Sequence, residues 1–166
     1  VVAGRRPVSR SLAALGATQA RVTRAYARAY RDRAPVAPDR LQPDAREALR
    51  AEGRRLVAVL LAYLDASRQE DRERWEGEAL ALIGVAGRRL ADAGADVPEV
   101  VAIYLRARQP LLDELAAIGK RRALDTIKLA GLYERAVGIL DRLLLQLVES
   151  HSAALATDEG RSRPWT

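Results

Sequence analysis

The sequence predicts an all-α domain of five to six helices, the last of them long. Apolar residues recur every three or four positions along most of the 166 residues, which is the period of helices with one buried face. No run of β-branched residues bounded by turn residues indicates a strand. Prolines, glycines and capping residues divide the chain into periodic segments, so each segment is expected to form one helix.

Length and composition bound the class of protein. A chain of 166 residues suits one domain with a single core. Because it contains no cysteine, disulfides, thiolate metal sites and cysteine nucleophiles are excluded, and a cytoplasmic location is expected. No segment reaches the roughly 18 to 20 apolar residues of a membrane span. The short apolar run after Arg5 and Arg6 is interrupted by Gly16, which argues against a signal peptide.

The first two helices are separated by a proline-containing segment. The first is expected over residues 11–33 and ends at residues 34–39, since proline cannot continue a helix. Its apolar face comprises Leu12, Leu15, Val22, Tyr26 and Ala29. The second is expected to begin near Pro43, which suits a first-turn position. Its inward positions are Leu49, Gly53, Leu56, Val57, Leu60 and Leu64.

The third helix is expected to begin around Ser67, because Ser67 and Glu70 have the spacing of a capping box. Its apolar stripe comprises Trp75, Ala79, Leu82, Ile83, Ala86 and Leu90. Gly94 is the expected left-handed stop of this helix. Asp96 and Glu99 form a second capping box, which predicts the start of the next helix.

The fourth helix is expected over residues 97–118, with a kink at Pro110 and an end at Gly119. Its core-facing positions are Val100, Val101, Tyr104, Leu111, Leu112 and Leu115. The basic segment 119–126 lacks the upstream glycine and the preceding strand of a phosphate-binding loop. This segment is therefore interpreted as a turn between helices.

The last helix, expected over residues 121–155, carries more apolar surface than one core needs. Its main stripe comprises Leu129, Leu132, Tyr133, Ala136, Leu140, Leu143, Leu144, Leu147 and His151, and a second apolar face comprises Val137, Ile139, Leu145 and Val148. The partner of that second face is either the first helix or a second copy of the chain, and we favour the second copy. The predicted dimer interface comprises Leu112, Leu132, Val137, Ile139, Leu140, Leu144, Leu147 and Val148.

The net charge of +6 is concentrated at the start of the chain, where residues 1–31 carry seven arginines and no acid. Arg21, Arg24, Arg28 and Arg31 share helical spacing, which would suit nucleic-acid phosphates. A solvated arginine face is the simpler interpretation, and no helix-turn-helix pattern is evident. We therefore keep nucleic-acid binding only as an alternative function.

The residues available for catalysis are few. His151 is the single histidine, and it is interpreted as a packed residue rather than a ligand or proton switch. The acidic residues Asp71, Glu76, Glu78, Asp113 and Glu114 lack the following histidines of di-metal bundles, so solvated faces are expected. These observations predict neither an enzyme nor a metal site. A small apolar pocket between helices is possible at Trp75, Ile83, Leu90, Tyr104 and Tyr133.

Two stretches resemble a known family. They are GRRLADAGADVPEVVAIYLRARQPLLDEL (residues 87–115) and LAGLYERAVGILDRLLLQLVESHSAAL (residues 129–155). Their pattern and order resemble the later helices of bacterial globin-type sensor domains, especially the RsbR-type stressosome co-antagonist N-terminal domains, which are non-haem globins. The resemblance covers about residues 21–155 and contains no single diagnostic motif.

The resemblance implies a globin-like fold without a cofactor. In haem-binding globin sensors the iron-ligating histidine lies about one turn before the glycine stop, and that position here is Leu90. An aliphatic side chain cannot coordinate iron, and the phenylalanine that the family places against haem is absent. A haem-binding or small-ligand sensor is therefore only an alternative.

The resemblance also implies a domain organisation and a function. Residues 1–20 are expected to form a basic segment, residues 21–155 the sensor domain, and residues 156–166 a tail or a linker to an output domain. The expected function is that of an N-terminal regulatory domain in a bacterial stress-response protein. Such a domain would form a homodimer through its last two helices, relay a signal along the final helix, and act on a downstream signalling domain or protein.

Overall fold

The computed structural model of the chain describes residues 19–31, 41–121 and 125–161. Within these ranges the chain forms five helices and no strand, which confirms the predicted all-α class with a long last helix. The helices are α1 (Gln19–Arg31), α2 (Pro43–Asp65), α3 (Gln69–Asp92), α4 (Val97–Arg121) and α5 (Thr126–Arg161). This arrangement is consistent with a globin-like helical domain.

The longest helix, α5, organises the packing. It contacts α3 most extensively, α4 next and α2 least, while α1 crosses α4 and α2. Although α5 has 36 residues, neither it nor another helix in the described ranges has an apolar stretch long enough to cross a membrane. The final helix is thus attached to the domain along much of its length by several neighbours.

Ion pairs and close contacts define the helix directions. Arg55 of α2 pairs with Glu78 of α3 at 2.9 Å, and Glu52 pairs with Arg89 further along α3 at 2.8 Å, so these helices are antiparallel. The helices α3 and α5 run in the same direction, because Glu76 pairs with Arg142 and Gly87, later in α3, lies against Leu147. The helix α4 runs antiparallel to α5, because Tyr104 bonds Leu140 and Tyr133 bonds Leu112.

The core lies where α2, α3, α4 and α5 meet. Its most completely buried large side chains are mainly leucine and isoleucine: Leu61, Leu64, Leu111, Leu115, Ile118, Leu132, Ile139, Leu143 and Leu147. Val22 places α1 on the same core, since it is completely buried. Removing this much apolar surface from water is the main force that holds the helices together.

Two glycines allow α3 and α5 to approach closely. A Cβ atom placed on Gly87 would lie 2.7 Å from the Leu147 carbonyl oxygen and 3.1 Å from the Ser150 Cβ. At Gly84, one turn earlier, it would lie 3.2 Å from the Ser150 hydroxyl oxygen. The backbone of α5 therefore occupies space that any larger residue at position 87 would need.

Several boundaries follow the sequence signals. Pro43 is the first residue of α2, as predicted. Gly94 has a φ of 72°, the left-handed conformation expected of a helix stop. The second capping box is also confirmed: the Glu99 N–H donates to Asp96 at 2.8 Å, and the Asp96 N–H donates to Glu99 at 3.0 Å.

Other boundary predictions are wrong. The capping box at Ser67 does not form: α3 begins at Gln69, and its N-terminal flanking residue is Arg68, which makes no side-chain capping bond. Gly119 does not end α4, which continues to Arg121. A Cβ on Gly119 would lie 2.5 Å from a methyl carbon of Leu129 of α5, so the glycine permits close packing of the two helices. The last helix begins at Thr126, not at residue 121.

A missed capping residue explains the start of α5. Asp125 precedes the helix and accepts the backbone N–H of Lys128 at 2.8 Å. This hydrogen bond, supported by the Lys128 ammonium, holds the pKa of Asp125 below its ordinary value.

Two predictions of burial are wrong, and another set falls on residues outside the described ranges. In α2, Gly53 was expected inward and is exposed. In α5, Ile139 was assigned to a second face but is 1% exposed, because α5 is covered from more than one side. The predicted start of the first helix at residue 11, with Leu12, Leu15 and the side chain of Ala29, lies outside the described residues.

Candidate functional site

The residues of the predicted pocket are all part of the core or packed against it. Leu90, Ile83 and Tyr104 are buried, whereas Trp75 and Tyr133 are half-buried. Trp75 lies fifteen positions before Leu90 on the same helix, which places their Cα atoms about 22 Å apart along the axis. The structure thus distributes these residues along the core and does not bring all five around one small pocket.

The two tyrosines of this set connect α4 to α5. The buried hydroxyl of Tyr104 donates to the Leu140 carbonyl, and that of Tyr133 donates to the Leu112 carbonyl at 2.8 Å. Burial raises the pKa of Tyr104 far above its ordinary value, and burial also raises that of Tyr133. Both hydroxyls are protonated donors engaged with backbone, so their roles in the described structure are structural.

The side chain of Leu90 has no atom that could ligate the iron of a haem. Its side chain is 2% exposed and packed in the apolar core, and its carbonyl accepts the N–H of Ala95 at 3.0 Å. The one histidine, His151, is completely buried with Nε2 2.7 Å from the Ala95 carbonyl oxygen. The described residues also contain no cluster of acidic and histidine side chains that suits a metal ion. The residues present at Leu90 do not fit haem.

Two carboxylates of α3 that were expected to lie on a solvated face, Glu76 and Glu78, pair with arginines of other helices. Arg142 of α5 donates to Glu76 at 2.5 Å and to the Tyr63 hydroxyl of α2 at 3.3 Å, so three helices meet at one guanidinium. Glu78 is paired with Arg55 of α2. Both pairs lie at the surface, so these two acids are on a solvated face and also bind arginines of neighbouring helices.

The predicted dimer residues fall into two groups in the structure. Those already covered by the chain's own helices are Leu132, Ile139, Leu140 and Leu147, each at most 3% exposed. Those that reach the surface are Leu112, Leu144 and Val148, which are half-buried, and Val137, which is 39% exposed. Only the second group is accessible to another molecule while the helices stay packed.

Two further apolar residues extend this accessible group. Leu105 of α4 is 40% exposed, and Leu145 of α5 is 65% exposed. Arg108 of α4 lies 3.9 Å from Asp141 of α5, and Asp141 is four positions from both Val137 and Leu145. The outer sides of the two helices are thus contiguous. We call Leu105, Leu112, Val137, Leu144, Leu145 and Val148 the α4–α5 face.

The sequence predicts that Leu145 lies on the second apolar face of α5, whereas Leu105 is not among the predicted residues. The signal was present, since Val101, Leu105, Arg108 and Leu112 recur at four- and three-residue spacing beside the core stripe of α4. On this stripe Arg108 has a long polar side chain and Leu112 is half-buried. The sequence pattern alone therefore does not distinguish this surface stripe from the core stripe of α4.

This chain is similar to known proteins at the level of a family. No curated protein and no solved structure shows significant similarity to it. A family model described as the RsbT co-antagonist protein rsbRD N-terminal domain matches residues 20–163, which covers all five helices except the first residue of α1. The chain therefore belongs to the RsbRD N-terminal domain family, the regulatory sensor domains of stressosome-type signalling proteins.

Proposed function

We propose that this chain is a haem-free regulatory domain that works as a homodimer through the α4–α5 face and relays its signal along α5. Residues 21–155 form the sensor domain in this proposal, residues 1–20 a basic segment, and residues 156–166 the link to an output domain in the cytoplasm. Its role is regulatory and not catalytic, in keeping with its family.

The observation that carries the proposal is the exposed apolar surface of the α4–α5 face. Leu105, Val137 and Leu145 expose 40%, 39% and 65% of their area on adjoining antiparallel helices. Single exposed leucines need no explanation, but a contiguous apolar patch across two helices is typical of an interaction surface.

A second copy of the chain fits this surface. On α5 the outward positions are spaced by three or four residues from Val137 through Asp141 to Leu145 and Val148, as in helices that pack side by side. Two such helix pairs related by a two-fold axis would form a four-helix bundle, in which identical patches cover each other. Arg108 and Asp141 lie beside the patch and are already near each other within one chain, so burying this pair would isolate neither of its charges.

Two observations support the absence of haem. Leu90 cannot ligate iron, and the Nε2 atom of His151 is already engaged by the Ala95 carbonyl. Adding hemin to the purified chain should therefore give the spectrum of free hemin. A sharp Soret band with one-to-one stoichiometry would contradict this part of the proposal.

The relay follows from the connections of α5. This helix packs on α3, α4 and α2, and it continues beyond the core to Arg161. A change in the packing of two subunits at α4 and α5 would therefore move the end of α5. Regulatory coupling of this kind typically amounts to about 1 to 3 kcal/mol.

Sedimentation equilibrium of the chain and two arginine variants tests the dimer. We expect twice the 18.2 kDa mass of one chain. Val137→Arg should weaken the dimer by about a hundredfold, since symmetry brings two charged guanidinium groups into the apolar interface. Val85→Arg is the matched control, because Val85 is 36% exposed on α3 and lies off the face. A monomeric parent, or equal weakening by both variants, would refute the proposed interface.

A second candidate function rests on α1. Within the described part of the chain, Arg21, Arg24 and Arg28 are exposed on one side of α1 and form no ion pair. This arrangement favours a polyanion such as duplex DNA. Fluorescence anisotropy with a labelled duplex at low salt tests it. Binding that is lost on replacing the three arginines with glutamine would support this function, and absence of binding would eliminate it.

A further inference from the structure

The single histidine of the chain marks the point where α5 leaves the core. His151 is completely buried. Of the six described positions that follow it, residues 152–157, five are exposed and Ala154 is half-buried. His151 is therefore the last anchored side chain in this described part of α5, and the helix continues from it without a covering neighbour.

The imidazole of His151 contacts the joint between two other helices. Its Nε2 atom lies 2.7 Å from the carbonyl oxygen of Ala95, and because a carbonyl only accepts, Nε2 carries the donated proton. Ala95 follows Gly94, the left-handed stop of α3, and its own N–H donates to Leu90 at 3.0 Å. Asp96, the next residue, caps α4. One side chain of α5 thus holds the turn that sets the relative position of α3 and α4.

The backbone packing at the same level leaves little freedom. A Cβ atom placed on Gly87 would lie 2.7 Å from the Leu147 carbonyl oxygen and 3.2 Å from the backbone nitrogen of His151. Because α3 touches the α5 backbone here, α5 cannot slide along α3 without passing these contacts. Close-packed helices of this kind favour discrete positions over continuous sliding.

Packing alone does not explain an imidazole at this position. Its Nδ1 atom is buried and has no hydrogen-bond partner among the described residues. A buried polar atom without a partner is destabilising, and a leucine of similar size would occupy the space without that penalty. The hydrogen bond to Ala95 is the contribution that a leucine would not make.

We infer that His151 is a latch that fixes the register of α5 against the α3–α4 turn, and that release of its bond to Ala95 frees the end of α5. His151 is a positioning residue in this scheme, because it acts through the turn and the helix. The inference deepens the proposed function and rests on it, since it names the contact that must open for α5 to relay a signal.

Amide hydrogen exchange of the full chain, measured by NMR, tests the latch. We expect His151→Leu to raise exchange about tenfold at Ala95 in the turn, at Val100 in the first turn of α4 and at Ser150 in α5, relative to amides in the middle of α3. In His151→Gln the terminal amide nitrogen can reach the Ala95 carbonyl, so exchange should stay within about threefold of the parent. Ser150→Ala is the control, because Ser150 is buried one position earlier and bonds Gln146, not the turn.

The results separate a latch from a side chain that only fills space. Unchanged exchange in His151→Leu, equal exchange in the leucine and glutamine variants, or a change confined to the turn would each overturn the inference. If the leucine variant does not fold, His151→Asn replaces it, because the shorter amide cannot reach the Ala95 carbonyl. All variants are compared at one protein concentration, because association contributes to stability. A monomeric chain with an intact latch would refute the proposed dimer alone.

Discussion

The close approach of α3 and α5 predicts that one glycine-to-alanine change is destabilising where another on the same helix is stabilising. The methyl group of Gly87→Ala would lie 2.7 Å from the Leu147 carbonyl oxygen, below the 3.0 Å at which something must shift. The obstructing atom belongs to the backbone of α5, so a side-chain rotation cannot relieve the contact. Gly77 is in the same helix, and its Cβ position has no atom within 4 Å.

The two effects have opposite signs. Alanine is favoured over glycine in a helix interior by about 1 kcal/mol, which should appear undiminished in Gly77→Ala. Forcing an extra methyl into a packed core costs about 1 to 3 kcal/mol, and the upper part of that range applies where helices must separate. The free energy of unfolding should therefore fall by about 1 to 2 kcal/mol in Gly87→Ala after the helix propensity is included.

Urea unfolding followed by circular dichroism measures both changes. With a slope near 2 kcal/mol per molar urea, the midpoint should fall by roughly 0.5 to 1 M in Gly87→Ala and rise by roughly 0.5 M in Gly77→Ala. All samples need one protein concentration, because association contributes to stability. A Gly87→Ala midpoint equal to or above that of the parent would show that α3 and α5 do not touch at this position.

Three further predictions concern hydrogen bonds and titration. Tyr104→Phe should lower the free energy of unfolding by about 1 kcal/mol and Tyr133→Phe by less, measured by urea unfolding, because only the first hydroxyl is fully buried. Since burial raises the pKa of Tyr104, the unfolded chain loses that proton first, so stability should fall as the pH rises above about 10, and fall less in Tyr104→Phe. Asp96→Ala should lower the thermal midpoint through a loss of about 1 kcal/mol, whereas Ser67→Ala, which removes no cap, should stay within about 0.5 kcal/mol of the parent. An equal effect of the last two changes would contradict the observed caps.

Local signals predicted the parts of the fold that depend on a few neighbouring residues. Pro43, Gly94 and the Asp96–Glu99 pair act within one turn of helix, and each lies where its chemistry requires. Ser67 has the same local pattern but fails, because α3 begins two residues later. A capping pattern therefore identifies residues that can cap a helix, but it does not by itself fix the residue at which the helix begins.

The errors at Ile139 and Gly119 have a tertiary cause. Helical periodicity assumes one buried stripe, but α5 is covered by both α3 and α4, so its buried sector includes Ile139. Glycine commonly ends helices, so Gly119 was predicted to end α4. Instead Gly119 lies within α4 and leaves space for Leu129 of α5. Neither partner is adjacent in sequence, so single-helix patterns do not contain the information.

Only part of the candidate site could be predicted, again because single-helix patterns contain no information on which helices lie side by side. Val137 and Val148 were recognised as lying off the main stripe, and they reach the surface of α5. The sequence did not reveal that Leu105 of α4 would adjoin them, since that depends on the antiparallel pairing of the two helices. The bond between His151 and Ala95 spans 56 residues and follows only from the packed structure.

The central claim, that the α4–α5 face meets its own copy, is tested most directly by isotope-filtered NOE measurements on a mixture of ¹³C-labelled and unlabelled chains. We expect intermolecular cross-peaks from the methyl groups of Leu105, Val137 and Leu145, and none from Val85 on α3. An associated sample in which the cross-peaks arise from Val85, or a sample in which none arises at all, would contradict the account.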